Sequence, residues 1–191
     1  MDFRCVEGCS DCCIYREYYP DRRYGKVGVL LMPDEKERIE GLARKMGVNV
    51  NILPRIGVGS VYRNGRREPE RVTAYQLMSV NEDGNYCPFL DVRGEKRSPH
   101  GGYRCMIYEE RPLACRAYPV IETNEVRLDE KCQFCKACDS KVENVQKETE
   151  ALLQIQRMMK FDEKDVWRYA TGIGNREDMG RVKKGWILQM L

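Results

Sequence analysis

The stretch that decides the fold is FRCVEGCSDCC, Phe3 to Cys13, in which Cys5, Cys9, Cys12 and Cys13 crowd together. A single cysteine is a good small core residue, but no core strand or helix asks for four on one loop. Thiolates at two- and three-residue gaps can wrap the backbone around a metal ion or an iron–sulfur cluster. A disulfide knot is the alternative. Cys12 and Cys13 are neighbours, so their side chains diverge and can serve different metals, or different irons of one cluster.

Composition narrows the choice. The chain has 191 residues, 33% of them charged, and a mean hydropathy of -0.64, so it is one domain, or one with an appendage, around a modest core. Its net charge of +3 is too small to imply nucleic acid, and no apolar run approaches a membrane span. The sequence opens on MDFRC with no basic-then-apolar signal segment, which gives the expectation of a cytoplasmic protein. In a reducing cytosol, structural disulfides are uncommon outside hyperthermophiles. Ten cysteines are an even number, as a disulfide framework would want, yet their clustering favours metal.

Outward from the first cluster, Ile14 to Gly25 is aromatic and basic, and reads as a loop packed over a neighbouring site. KVGVLLM, 26–32, reads as a strand. Pro33 and Asp34 open a helix, with Ile39, Leu42, Ala43 and Met46 on its buried face and Gly47 as its stop. Residues 51–81 read as strands, with Asn64-Gly65 as a hairpin turn. Gly57, Gly59 and Ser60 lack the third glycine and the strand–turn–helix setting of a phosphate loop. Arg63, Arg66, Arg67 and Arg71 read as a solvated hairpin tip.

Cysteines return at Cys87, just before Pro88, and at Cys105 and Cys115 in CMIYEERPLACRAYP. Residues 107–116 read as a short helix flanked by Tyr108, Arg111 and Arg116. Those arginines would offset the charge of a thiolate cluster and donate to its sulfurs, or else pair with Glu109 and Glu110. VIETNEVRL reads as a strand. KCQFCKACD then sets Cys132, Cys135 and Cys138 at two-residue gaps, a strong metal-loop spacing. From Lys141 to Lys160, Val142, Val145, Leu152, Ile155 and Met159 form an apolar helical stripe. A second helix is expected from FDEKDVWRYATG, and GWILQML is expected to dock Trp186 on the body. His100, the sole histidine, reads as a solvated loop residue. The fold expected is α+β, with a metal-binding part at 1–139 and a helical extension at 140–191.

Cys5-x3-Cys9-x2-Cys12 matches the cluster spacing of radical SAM enzymes. Asp11, however, stands where those enzymes usually carry an aromatic residue, only four residues precede Cys5, and the chain is short for their barrel. A broader resemblance covers Phe3 to Cys132. FRCVEGCSDCC, CPFLD, the C-x-IYEERPLACRAYP block and Cys132 together resemble the YkgJ-type cysteine-cluster family, whose members are described as zinc- or iron-chelating. A similar domain in flagellin lysine N-methylases is associated with an iron–sulfur cluster. The resemblance implies Cys5, Cys9, Cys12, Cys13, Cys87, Cys105, Cys115 and Cys132 as ligands. It departs at the first gap, which is three residues where the family has two, and at Cys135 and Cys138, which are additions.

Eight thiolates suit two four-coordinate sites, as zinc or as cubane clusters. Spacing does not choose the metal; the family association favours a 4Fe-4S cluster, with Zn2+ as the alternative. Three functions stay open: a cytosolic iron–sulfur protein in redox or maturation chemistry, a cluster-dependent methylase-like enzyme, and a zinc-stapled module for a protein or RNA partner. The enzyme reading lacks a glycine motif for SAM. A protein partner fits the first and third readings.

Overall fold

The structure is a computed structural model that describes residues 7–14, 28–79, 86–133, 144–170 and 185–189. In chain order its elements are α1 (Asp11–Ile14), β1 (Val29–Leu31), α2 (Pro33–Met46), β2 (Ile52–Val58), β3 (Val61–Arg63), β4 (Arg66–Glu68) and β5 (Arg71–Leu77). There follow β6 (Leu90–Asp91), β7 (Arg104–Cys105), α3 (Leu113–Ala117), β8 (Val120–Glu122), β9 (Arg127–Leu128), α4 (Gln146–Met158), β10 (Val166–Ala170) and β11 (Gly185–Gln189). Short helices with small antiparallel sheets make this an α+β fold. Among the described residues no helix is long and apolar enough to cross a membrane.

The chain forms two compact units. One comprises Met1–Arg16 with Ser79–Arg157, and the other Glu17–Met78 with Met158–Leu191.

The second unit is built on an antiparallel sheet in the order β1-β5-β2-β10-β11. Val29, Leu30, Leu31, Ile56, Val58, Ala74 and Leu77 are its buried apolar residues, and Ile39, Leu42 and Ala43 of α2 are buried in the same unit. The helix starts as expected at Pro33 and stops at Gly47, which takes the left-handed conformation (φ 68°) open to glycine. Met46 departs from expectation: it is the last residue of the helix and is 42% exposed. Asn64 and Gly65 both have positive φ, as a type I′ turn requires. A Cβ on Gly57 would lie 2.5 Å from Pro69, so this glycine serves strand packing, not phosphate. Arg67 pairs with Asp165 at 2.6 Å and Arg71 with Glu163, so half of the basic cluster is neutralised by its own chain.

Residues 166–170 and 185–189, expected to be helix and docking tail, are paired strands instead. β10 pairs with both β2 and β11. VWRYA is rich in β-branched and aromatic residues, which suit a pleated surface. Trp167 is buried, and its indole Nε1 donates to Gly59 O at 2.7 Å. Long-range pairing thus overrides the helix expected from FDEKDVWRYATG.

In the cysteine unit, α4 follows expectation, burying Ala151, Leu152 and Ile155 on one stripe. The helix expected over 107–116 is broken into a 3-10 turn, Tyr108–Glu110, and α3. Pro112 causes the break: its ring holds Arg111 extended (ψ 143°), and Pro112 itself becomes the residue before α3. VIETNEVRL likewise is not one strand but the hairpin β8–β9. The Tyr/Arg run 15–25, together with Cys5, Val142, Cys135 and Cys138, lies outside the described residues.

Candidate metal centre

Three segments distant in sequence converge in the cysteine unit. The first is residues 9–13, where Ser10 precedes the single turn of α1. Cys13 N and Ile14 N both donate to Ser10 O, at 2.9 and 3.2 Å, which sets Cys12 and Cys13 on a tight coil. The second is the loop 98–105 with the β6–β7 ladder, which pairs Leu90 with Cys105. The third is the turn at Asp129–Cys132, closed by Cys132 N donating to Asp129 O at 2.9 Å.

Backbone hydrogen bonds and close contacts lock these segments together. Cys87 N donates to Cys13 O at 2.8 Å, and Gly8 N donates to His100 O at 2.8 Å. Tyr103 N donates to the Ser10 hydroxyl at 2.8 Å. Gly102 makes the closest approach, for a Cβ there would lie 2.1 Å from Cys9 O. Only glycine lets the 98–105 loop meet the first cysteine loop so closely. Gln133 Nε2 donates to Asp11 at 2.8 Å, tying in the third segment.

The segments enclose a cavity of about 50 Å³, whose walls include the thiols of Cys9, Cys12, Cys13, Cys105 and Cys132. Cys12 is exposed, Cys9, Cys13 and Cys105 are half-buried, and Cys132 is buried. Two groups of thiols feel one another's charge. Cys9 is raised above its ordinary pKa chiefly by burial, opposed by a hydrogen bond from the Asp11 backbone and helped by the charges of Asp11, Cys132 and Cys13. Burial likewise pushes Cys105 up to about 11, helped by Cys13 and Cys87 and opposed by the Arg111 cation. Cys13 belongs to both groups.

Cys87 is buried beside Cys13 through the backbone bond just described. Cys115 is half-buried on α3, outside the cavity wall. The two arginines part company. Arg111 lines the cavity, whereas Arg116 is exposed on α3. His100, expected in solvent, is half-buried in the cavity wall with Tyr103, Tyr108 and Tyr118. The Gly101-Gly102 pair beside it was the available signal, since it lets the loop turn inward.

Crowded soft thiols on a preorganised backbone fit zinc or iron. Among the described residues no three His, Cys, Asp or Glu side chains close into a finished ligand group, and Cys5, Cys135 and Cys138 lie outside them. Metal entry therefore has to draw donors together and displace their protons.

The fold and cavity define a small cysteine-rich chelating domain. The chain belongs to the CxxCxxCC family, "Putative zinc- or iron-chelating domain", whose match spans residues 4–133. That span takes in all three converging segments. No curated protein and no solved structure matches the chain.

Proposed function

We propose that this chain is a cytosolic iron–sulfur protein whose centre is ligated by the cavity thiols and serves redox or cluster-maturation chemistry with a protein partner. The observation that carries the reading is the cavity beside the thiols. A structural zinc site is closed on four ligands and needs no access, whereas this site opens through an exposed Cys12 and walls of tyrosine, histidine and arginine. Arg111 sets a fixed cation near Cys105, which favours the thiolate that iron needs. Bound there, a 4Fe-4S cluster would supply one-electron redox chemistry.

Anaerobic purification with visible absorption, iron and acid-labile sulfide analysis tests this directly. A brown protein with matching iron and sulfide is expected. A colourless protein loaded with zinc would overturn the iron reading and leave a zinc-stapled binding module.

A further inference from the structure

The cavity wall holds two groups whose hydrogen-bond donors the thiols do not use. Arg111 is fixed at two points: its Nε donates to Tyr108 O at 2.7 Å, and its guanidinium lies 3.8 Å over the Tyr108 ring. Among the described residues no other hydrogen bond and no carboxylate engages it, and its forked terminal nitrogens are left over. Asp11 shares the cavity wall, but its carboxylate accepts from Gln133. His100 neighbours the same tyrosine, with ring centroids 6.4 Å apart. Its Nδ1 accepts from Gly102 N at 3.3 Å, which assigns the proton of the neutral ring to Nε2. Nε2–H is thus a second unused donor in the cavity wall.

Two donors, one a planar fork and one a single N–H, lie beside one aromatic ring in the cavity wall. We infer that the cavity is a binding site for a small organic carboxylate, gripped by the Arg111 fork and the His100 Nε2–H. Planarity selects the carboxylate, since the guanidinium edge matches its two oxygens. Tyr103, Tyr108 and Tyr118 supply the surface for an apolar body on the ligand. The site lies on the same cavity as the thiols, so the ligand would sit beside the centre proposed above. The inference rests on that reading for its purpose but not for its test.

His100 is the sole histidine, so its ring resonances are unique in the chain. The metal-loaded protein, labelled on histidine, would be titrated with acetate, benzoate and inorganic phosphate at constant ionic strength. The His100 Cε1–H signal is expected to shift saturably with acetate, more weakly with benzoate, whose ring exceeds a cavity of about 50 Å³, and not with phosphate. Arg111→Gln should weaken that binding by about tenfold or more, and Arg111→Lys, which keeps charge but loses the fork, by less. No saturable shift in the unmodified protein, equal binding of phosphate, or unchanged affinity in Arg111→Gln would each overturn the site. Metal and sulfide analysis of the same samples keeps the two readings apart. A carboxylate shift in protein that carries no iron would sustain this site while refuting the iron centre.

Discussion

Cys87 donates its backbone N–H to the carbonyl of Cys13 at 2.8 Å. This one bond joins the N-terminal cysteine loop to the edge of the β6–β7 segment, and Cys13 is also the thiol common to both charge-coupled groups. Cys13→Ser should therefore cost more bound metal than Cys115→Ser, whose residue stands outside the cavity wall. At least half the metal per chain is expected to go in the first variant. Metal analysis of the two proteins, normalised to protein, checks it; equal loss would remove Cys13 from its junction role.

Gly102→Ala forces a methyl against Cys9 O, a backbone atom that cannot swing away. The expected cost is about 1–3 kcal/mol, as for other overpacked positions, with metal lost in parallel. Gly41→Ala is the control: its added methyl meets only the tip of the Arg44 side chain, at 4.0 Å. Thermal unfolding of both metal-loaded variants makes the comparison, and a Gly102→Ala protein as stable as the control would contradict the close approach.

Burial holds the Cys105 thiol near 11, above its ordinary value of 9.0. In the metal-free protein the folded state thus keeps a proton that the unfolded state releases between those values. Stability from this group is full below pH 9 and is lost as pH rises toward 11. Metal binding replaces the proton, so loaded protein should lack this alkaline loss. Denaturant titrations from pH 8 to about 11, with and without metal, read the difference. Cys105→Ser should reduce the slope in the metal-free protein, with the raised Cys9 thiol carrying part of the remainder, and an undiminished slope there would assign it to other groups.

Residues 7–14 contribute few buried apolar side chains, and their described ties are hydrogen bonds to residues 87, 100, 103 and 133. Metal should therefore supply much of their anchoring. Chelation is expected to open the peptide bonds of this segment to protease while α4, with its buried stripe, stays protected. Mass spectrometry of limited digests locates the first cuts. First cuts within α4 would show that the metal stabilises a different part of the chain.

What was legible beforehand divides along physical lines. Local signals carried α2, with Pro33 and Gly47 at its ends, the Asn64-Gly65 hairpin and the α4 stripe, because each depends on residues a few positions apart. β10 and β11 were not legible, because β10 depends on pairing with β2, far away in the sequence, and β11 on pairing with β10. The cysteine spacing exposed the thiol-rich loops, yet not the cavity between them. That cavity depends on Gly102 passing over Cys9 O, a contact between loops that no periodicity encodes. His100 was overlooked for the same reason, since a turn-prone neighbourhood resembles solvent until the opposing loop is placed.

X-ray absorption at the iron and zinc edges tests the central claim most directly, using anaerobically purified protein beside Cys13→Ser. The expected spectrum is an iron edge with a sulfur-only first shell and iron–iron scattering, diminished in the variant. A first shell of nitrogen or oxygen, a zinc edge without iron, or an undiminished signal in Cys13→Ser would contradict a cluster held by these thiols.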